Sequence, residues 1–216
     1  MTERQHILHW GGACGFLAAA ILTAMMAIGL AAGPESTELL QPTDPERVTG
    51  LMSEYSSTVK ANIVLDDLFA LAYTGAFLGL AGLVWPRSRW LAVIAMFFAL
   101  ATAVLDFTEN ARLMTMALGI GGEASFTGNA LASLNVITQL KYAASHMAAF
   151  LFGIGLRRHD RLSWVVTALL FVFAVVSTIA FAYEPVGLVR ILLMWMLLLL
   201  GGWLAWRQSK NMEGET

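Results

Sequence analysis

The sequence predicts an all-α, polytopic membrane protein: a six-transmembrane-helix bundle with both termini cytoplasmic. Three observations predict it. Hydrophobic residues make up 58% and charged residues 13% of the 216-residue chain, about half the charged fraction of a typical soluble domain, and the mean hydropathy is +0.68. Six runs are long and apolar enough to cross the ~30 Å hydrocarbon core as helices. The basic residues gather on one side of those runs. This composition excludes a disordered chain, a nucleic-acid binder with a basic face and an ordinary water-soluble enzyme.

The predicted spans are 11–32, 62–85, 90–113, 134–156, 162–183 and 187–206, forming one membrane domain over 1–216. Helices are required because lipid offers no partners for unpaired backbone groups, and the alternation of a barrel strand is absent. The first span reads as an uncleaved helix: its apolar stretch exceeds the ~7–15 residues of a signal peptide core, and its flank is barely basic. In the outer loop 33–61, Thr43 or Asp44 can cap a helix with Pro45 in its first turn. Val48, Leu51, Met52 and Tyr55 then recur at helical spacing, predicting a short amphipathic helix that runs into the second span. Within that span Gly75, Gly79 and Gly82 form a small-residue face, read as close helix packing and, as a second role, a homodimer contact. The second outer loop contains Gly119, Gly121, Gly122 and Gly128, which predicts flexibility.

Orientation follows from charge. Eight cations lie on one side: Arg4, Arg87, Arg89, Arg157, Arg158, Arg161, Arg207 and Lys210. The longer connections opposite them contain no basic residue between 34 and 57 except Arg47. The positive-inside rule puts the basic side in the cytoplasm, and Trp10, Trp85, Trp90, Trp164, Trp203 and Trp206 fall near the same helix ends, as an interfacial belt should. The formal charge of −2 adds little to this. A single cysteine, Cys14, excludes an internal disulfide and a cysteine-rich metal site.

Ionisable groups inside a bilayer cost roughly 2.5–3.5 kcal/mol each on insertion scales, so they usually face the bundle or water. Here they are concentrated. The second span enters from outside with Asn62, Asp66 and Asp67; the third ends with Asp106, Glu109, Asn110 and Arg112; the fourth enters with Gln139, Lys141, Tyr142, Ser145 and His146; the sixth opens with Arg190. At 1.5 Å per residue all of them fall in the outer halves of their helices, which predicts an outward-facing polar pocket. Asp106 shares a face with Glu109 and Asn110, and Asn62 with Asp66. Asp66 and Asp67 lie about 100° apart around the axis, so one is expected to face the pocket and the other a neighbouring helix.

The same residues admit three readings. As a binding site, Asn62, Asp66, Asp67, Asp106, Glu109, Asn110, Gln139, Lys141, Tyr142, His146 and Arg190 would recognise a lipid headgroup or small polar ligand. As an enzyme, Asp106, Glu109 and His146 would hold a divalent metal in a membrane-embedded hydrolase. Against this, the band has one histidine and no HExxH, and Lys141 would repel the cation. As structure, the acids would pair with Lys141 and Arg190 and only register the helices. No cofactor is expected apart from that metal. The expected partners are membrane lipids, a small polar ligand and a second copy of the chain, with no nucleic acid.

The acidic start of the second span, together with Leu105-Asp106-x-x-Glu109-Asn110 ending the third, resembles uncharacterised six-helix bacterial inner-membrane proteins. The likeness would cover the chain from Val59 to Leu156. It implies a bacterial cytoplasmic-membrane setting and carries no activity or catalytic residue.

Overall fold

The computed structural model describes residues 1–32, 50, 54–119, 127–156, 160–180 and 186–213. They hold six helices: α1 (Glu3–Ala32), α2 (Ser56–Val84), α3 (Arg89–Leu118), α4 (Gly128–Gly155), α5 (Arg161–Ala180) and α6 (Gly187–Glu213). Five of them, all but α5, overrun the predicted spans by several residues. A 30-residue helix such as α1 is about 45 Å long, enough to cross the hydrocarbon core and both headgroup layers. The apolar run marks only the part within the lipid tails, while the helix continues through its polar ends. The amphipathic helix expected near residues 45–55 falls mostly outside the described residues, as does most of the second outer loop.

Local chemistry fixes the starts. Thr2 and Gln5 make a reciprocal capping box at the head of α1: the Gln5 amide donates to Thr2 Oγ1 at 3.3 Å and the Thr2 amide to Gln5 Oε1 at 3.2 Å. Asp160 and Ser163 do the same for α5, at 2.9 and 3.2 Å. Ser88 caps α3 through the Leu91 amide, and Thr127 caps α4 through the Ala130 amide.

Each helix packs on its neighbours in the chain, and α6 returns to α1, closing a ring. Further contacts of α2 with α4 and α6 place it towards the middle. Glycine makes the α1 seams tight. A Cβ added at Gly11 would lie 2.4 Å from the Gly79 Cα, and one at Gly15 would lie 2.8 Å from the Leu198 carbonyl of α6. The predicted small-residue face of α2 is thus filled by α1, with Cys14 against Gly75 and Leu8 against Gly82. It supplies no argument for a dimer. On α3, the stripe Ala92, Ala95 and Ala99 is fully buried, in a cluster with Phe152 of α4 and Val166 and Leu170 of α5.

The outward surface of the ring is apolar at mid-helix: Leu71, Phe97, Val104, Phe150 and Val175 are all exposed. Such a surface is what lipid tails cover. Five helices are long and apolar enough to cross a membrane; α4 falls outside that group although it is 28 residues long. The cause is the polar series Gln139, Lys141, Tyr142, Ser145 and His146. The most polar helix stands between α3 and α5, and the candidate site is built on it.

Candidate functional site

Three helices bring the site together. Asp106, Glu109 and Asn110 occupy one face of α3 at i, i+3 and i+4 and are all buried. Lys141 of α4 meets this face: its Nζ donates to Asp106 Oδ1 at 2.8 Å and also to Glu109 Oε2. The other oxygen of each acid is used as well. Tyr73 of α2 donates its hydroxyl to Asp106 Oδ2 at 2.9 Å, and Thr138 of α4 donates to Glu109 Oε1. Both oxygens of Asp106 and both of Glu109 are therefore engaged, with one ammonium between the two acids.

The second half of the network differs. The Asn110 side-chain nitrogen donates to Asp66 Oδ2 and to Asp67 Oδ1, both at 3.0 Å. This corrects the expectation that the two aspartates point to different places. A primary amide has two N–H donors, and Asn110 lies across the α2–α3 seam, so each aspartate leans inward from its own side. Among the described residues neither carboxylate meets a cation. One turn away along α2, the Asn62 Oδ1 is buried and receives no hydrogen bond.

The polar residues of α4 divide by helical angle. His146 lies five positions after Lys141, about 140° around the axis, and faces α5. Its Nδ1 is 3.4 Å from Thr178 Oγ1, and its ring meets Phe173 edge-on at 6.2 Å. Tyr142 lies between the two directions. The Arg190 guanidinium of α6 sits 4.2 Å from its ring centroid and the Lys141 Nζ 5.3 Å, a cation–π arrangement on both counts. Gln139 is exposed on the outside of the bundle, on the opposite side of α4 from Lys141, and does not join the network.

Of the residues singled out from sequence, Asp66, Asp67, Asp106, Glu109, Asn110 and Lys141 share one hydrogen-bonded network. Tyr142, His146 and Arg190 flank it, and Asn62 stands one turn from Asp66. Two members were missed. Tyr73 lies seven positions after Asp66, two turns along the same stripe, and a buried tyrosine hydroxyl needs a partner. Thr138 lies three positions before Lys141 on the same face. Either spacing could have signalled its role. The proposed metal set is not gathered: Lys141 stands against Asp106 and Glu109, and His146 is turned towards α5. Among the described residues no group of three or more His, Cys, Asp or Glu is arranged to hold a metal ion.

The class defined by fold and site is a helical bundle, with five helices long and apolar enough to cross a membrane and a buried polar network across α2, α3 and α4. No family model matches the chain, and no curated protein or solved structure does.

Proposed function

We propose that this chain is a six-span protein of the bacterial cytoplasmic membrane, with both termini inside, that binds an amine-bearing lipid headgroup or small polar ligand from the outer side. The observation that carries the binding reading is a charge imbalance. Four carboxylates converge on one network, and among the described residues Lys141 is the only ammonium bonded to any of them. Asp106 and Glu109 are spent on Lys141, Tyr73 and Thr138. Among the described residues Asp66 and Asp67 share only the neutral amide of Asn110. Uncompensated carboxylate in a low-dielectric setting is costly, and an ammonium group placed at Asp66 and Asp67 would supply both the charge and the donors. Asn62 would accept a further hydrogen bond from it. The Lys141 cluster then works as the pin that holds α3 and α4 in register behind the site.

The orientation rests on the basic connections and on the tryptophans of the same end, of which Trp10, Trp85, Trp90, Trp164 and Trp203 are exposed. The bacterial setting rests on the resemblance carried by Asp106, Glu109 and Asn110.

Calorimetric titration of the detergent-purified protein tests the reading. Short-chain phosphatidylethanolamine is the probe, and short-chain phosphatidylcholine, whose quaternary ammonium has no N–H donor, is the control. Wild type should bind the ethanolamine lipid, and the D66N/D67N variant should lose at least about tenfold in affinity, the scale of one charge-assisted hydrogen bond. Equal binding of both lipids, or unchanged binding by a folded D66N/D67N variant, overturns it.

A further inference from the structure

The opposite end of the bundle carries a feature that the carboxylate network does not use. A cavity of about 420 Å³ opens between the starts of α1 and α5 and the ends of α2 and α6. Two guanidinium groups line it, Arg4 and Arg87, together with Ser163, Gln208, Asn211 and the apolar wall of Leu204. Both arginines are held in place by backbone carbonyls. Arg4 Nε donates to the Gly82 carbonyl at 3.2 Å, and an Arg87 terminal nitrogen donates to the Leu156 carbonyl at 3.1 Å. These bonds use a fraction of the five N–H donors each guanidinium offers. Their acceptors are neutral, so neither positive charge is balanced by a carboxylate among the described residues. Asp160, before the start of α5, is paired with Arg207.

Pinned guanidinium groups with spare donors, in a cavity with neutral polar groups at its rim, match a tetrahedral oxyanion better than any cation or amine. Depth supplies the second argument. Trp10, Trp85 and Trp164 are exposed at the same helix ends, and such a belt marks the headgroup layer. We infer that this cavity binds a phosphate-bearing anion, with Arg4 and Arg87 as its charge partners. The phosphate comes either from an anionic lipid of the adjoining leaflet or from free phosphate in the aqueous phase. Basic cavities between membrane helices recognise lipid phosphates in this way.

Native mass spectrometry of the full chain in detergent distinguishes these outcomes. Phosphatidylglycerol and phosphatidylcholine of equal acyl length are added in turn, each with and without millimolar inorganic phosphate. The expected result is a phosphatidylglycerol adduct at least about tenfold tighter than the phosphatidylcholine one, lost in R4A and R87A. R161A, which removes an exposed cation outside the cavity lining, should leave it intact. Displacement of the lipid by phosphate, or an inorganic phosphate adduct without lipid preference that R87A abolishes, supports the same site with free phosphate as its occupant. If R4A weakens the fold, R87K and R87Q give the same reading, the first retaining part of the binding and the second none. Absence of any anion preference in wild type overturns the inference, as does equal loss in R161A and R87A.

Discussion

Lys141 is the residue on which the network turns. Its side chain is 14% exposed and those of Asp106 and Glu109 are 6% and 11% exposed, so the group lies in a weakly screening environment. K141M would leave two buried carboxylates facing one another with only Tyr73 and Thr138 to stabilise them. Breaking a buried ion pair from one side costs about 3–5 kcal/mol, so the thermal midpoint of K141M should fall sharply. K141M/D106N/E109Q removes the stranded charge and should recover most of that loss. A triple variant as unstable as K141M would show that packing, not charge pairing, sets the effect. At this scale the sequence was informative about chemistry and weak about aim. Asp106, Glu109 and Asn110 could be placed on one face from spacing alone. That Asn110 draws both Asp66 and Asp67 to itself could not be read, because it depends on how far α3 sits across the seam from α2. Gln139 and His146 share a stripe, as their spacing required, yet that stripe points away from α3. The direction of α4 around its own axis decides this, and only its neighbours fix that rotation.

Helices α1, α2 and α6 meet at distances that glycine alone allows. Gly11 on α1 faces Gly79 on α2, while Gly12 and Gly15 face Gly202 on α6. A valine at Gly79 would drive its branches into the Gly11 backbone, which has no rotamer to yield. G79V should therefore destabilise the bundle by about 1–3 kcal/mol or prevent folding, the usual range for overpacking or beyond it. G29A, where an added methyl meets open space within 4 Å, should leave thermal stability unchanged in the same assay. If G79V is equally well tolerated, α1 does not sit on α2 at this register. The spacing of Gly75, Gly79 and Gly82 announced a close helix contact, and the fold supplies its partner within the chain. The capping pairs at Thr2 and Asp160 were not singled out from the sequence, and α2 and α4 start a turn or more before the predicted spans although their ends agree. Hydropathy measures the lipid-facing length of a helix, and these helices continue into polar sequence.

For the molecule as a whole, ring closure through the α1–α6 seam puts the starts of α1, α3 and α5 and the ends of α2, α4 and α6 at one end. The bonds from Gln5 to the Ser209 carbonyl and from Trp195 to Thr23, at 3.2 and 3.0 Å, tie that seam along its length. With Cys14 replaced by alanine, a membrane-impermeant maleimide applied to intact cells should label E54C and spare K210C. The reverse pattern would invert the topology and turn the carboxylate network to the cytoplasm. Composition carried the all-helical fold class, and charge placement supplies the expected orientation that the labelling tests. The basic cavity at the end opposite the carboxylates could not be read from the chain, since its lining draws on four helices distant in sequence.

The most direct test is the lipid that stays bound. Wild type and D66N/D67N are purified from membranes containing both phosphatidylethanolamine and phosphatidylglycerol, washed exhaustively in detergent, and extracted for lipid analysis. The account predicts phosphatidylethanolamine retained at about one per chain in wild type and lost in the variant, with retained phosphatidylglycerol unchanged. Equal phosphatidylethanolamine in both proteins, with both folded, would contradict it and leave the aspartates as structural partners of Asn110 alone.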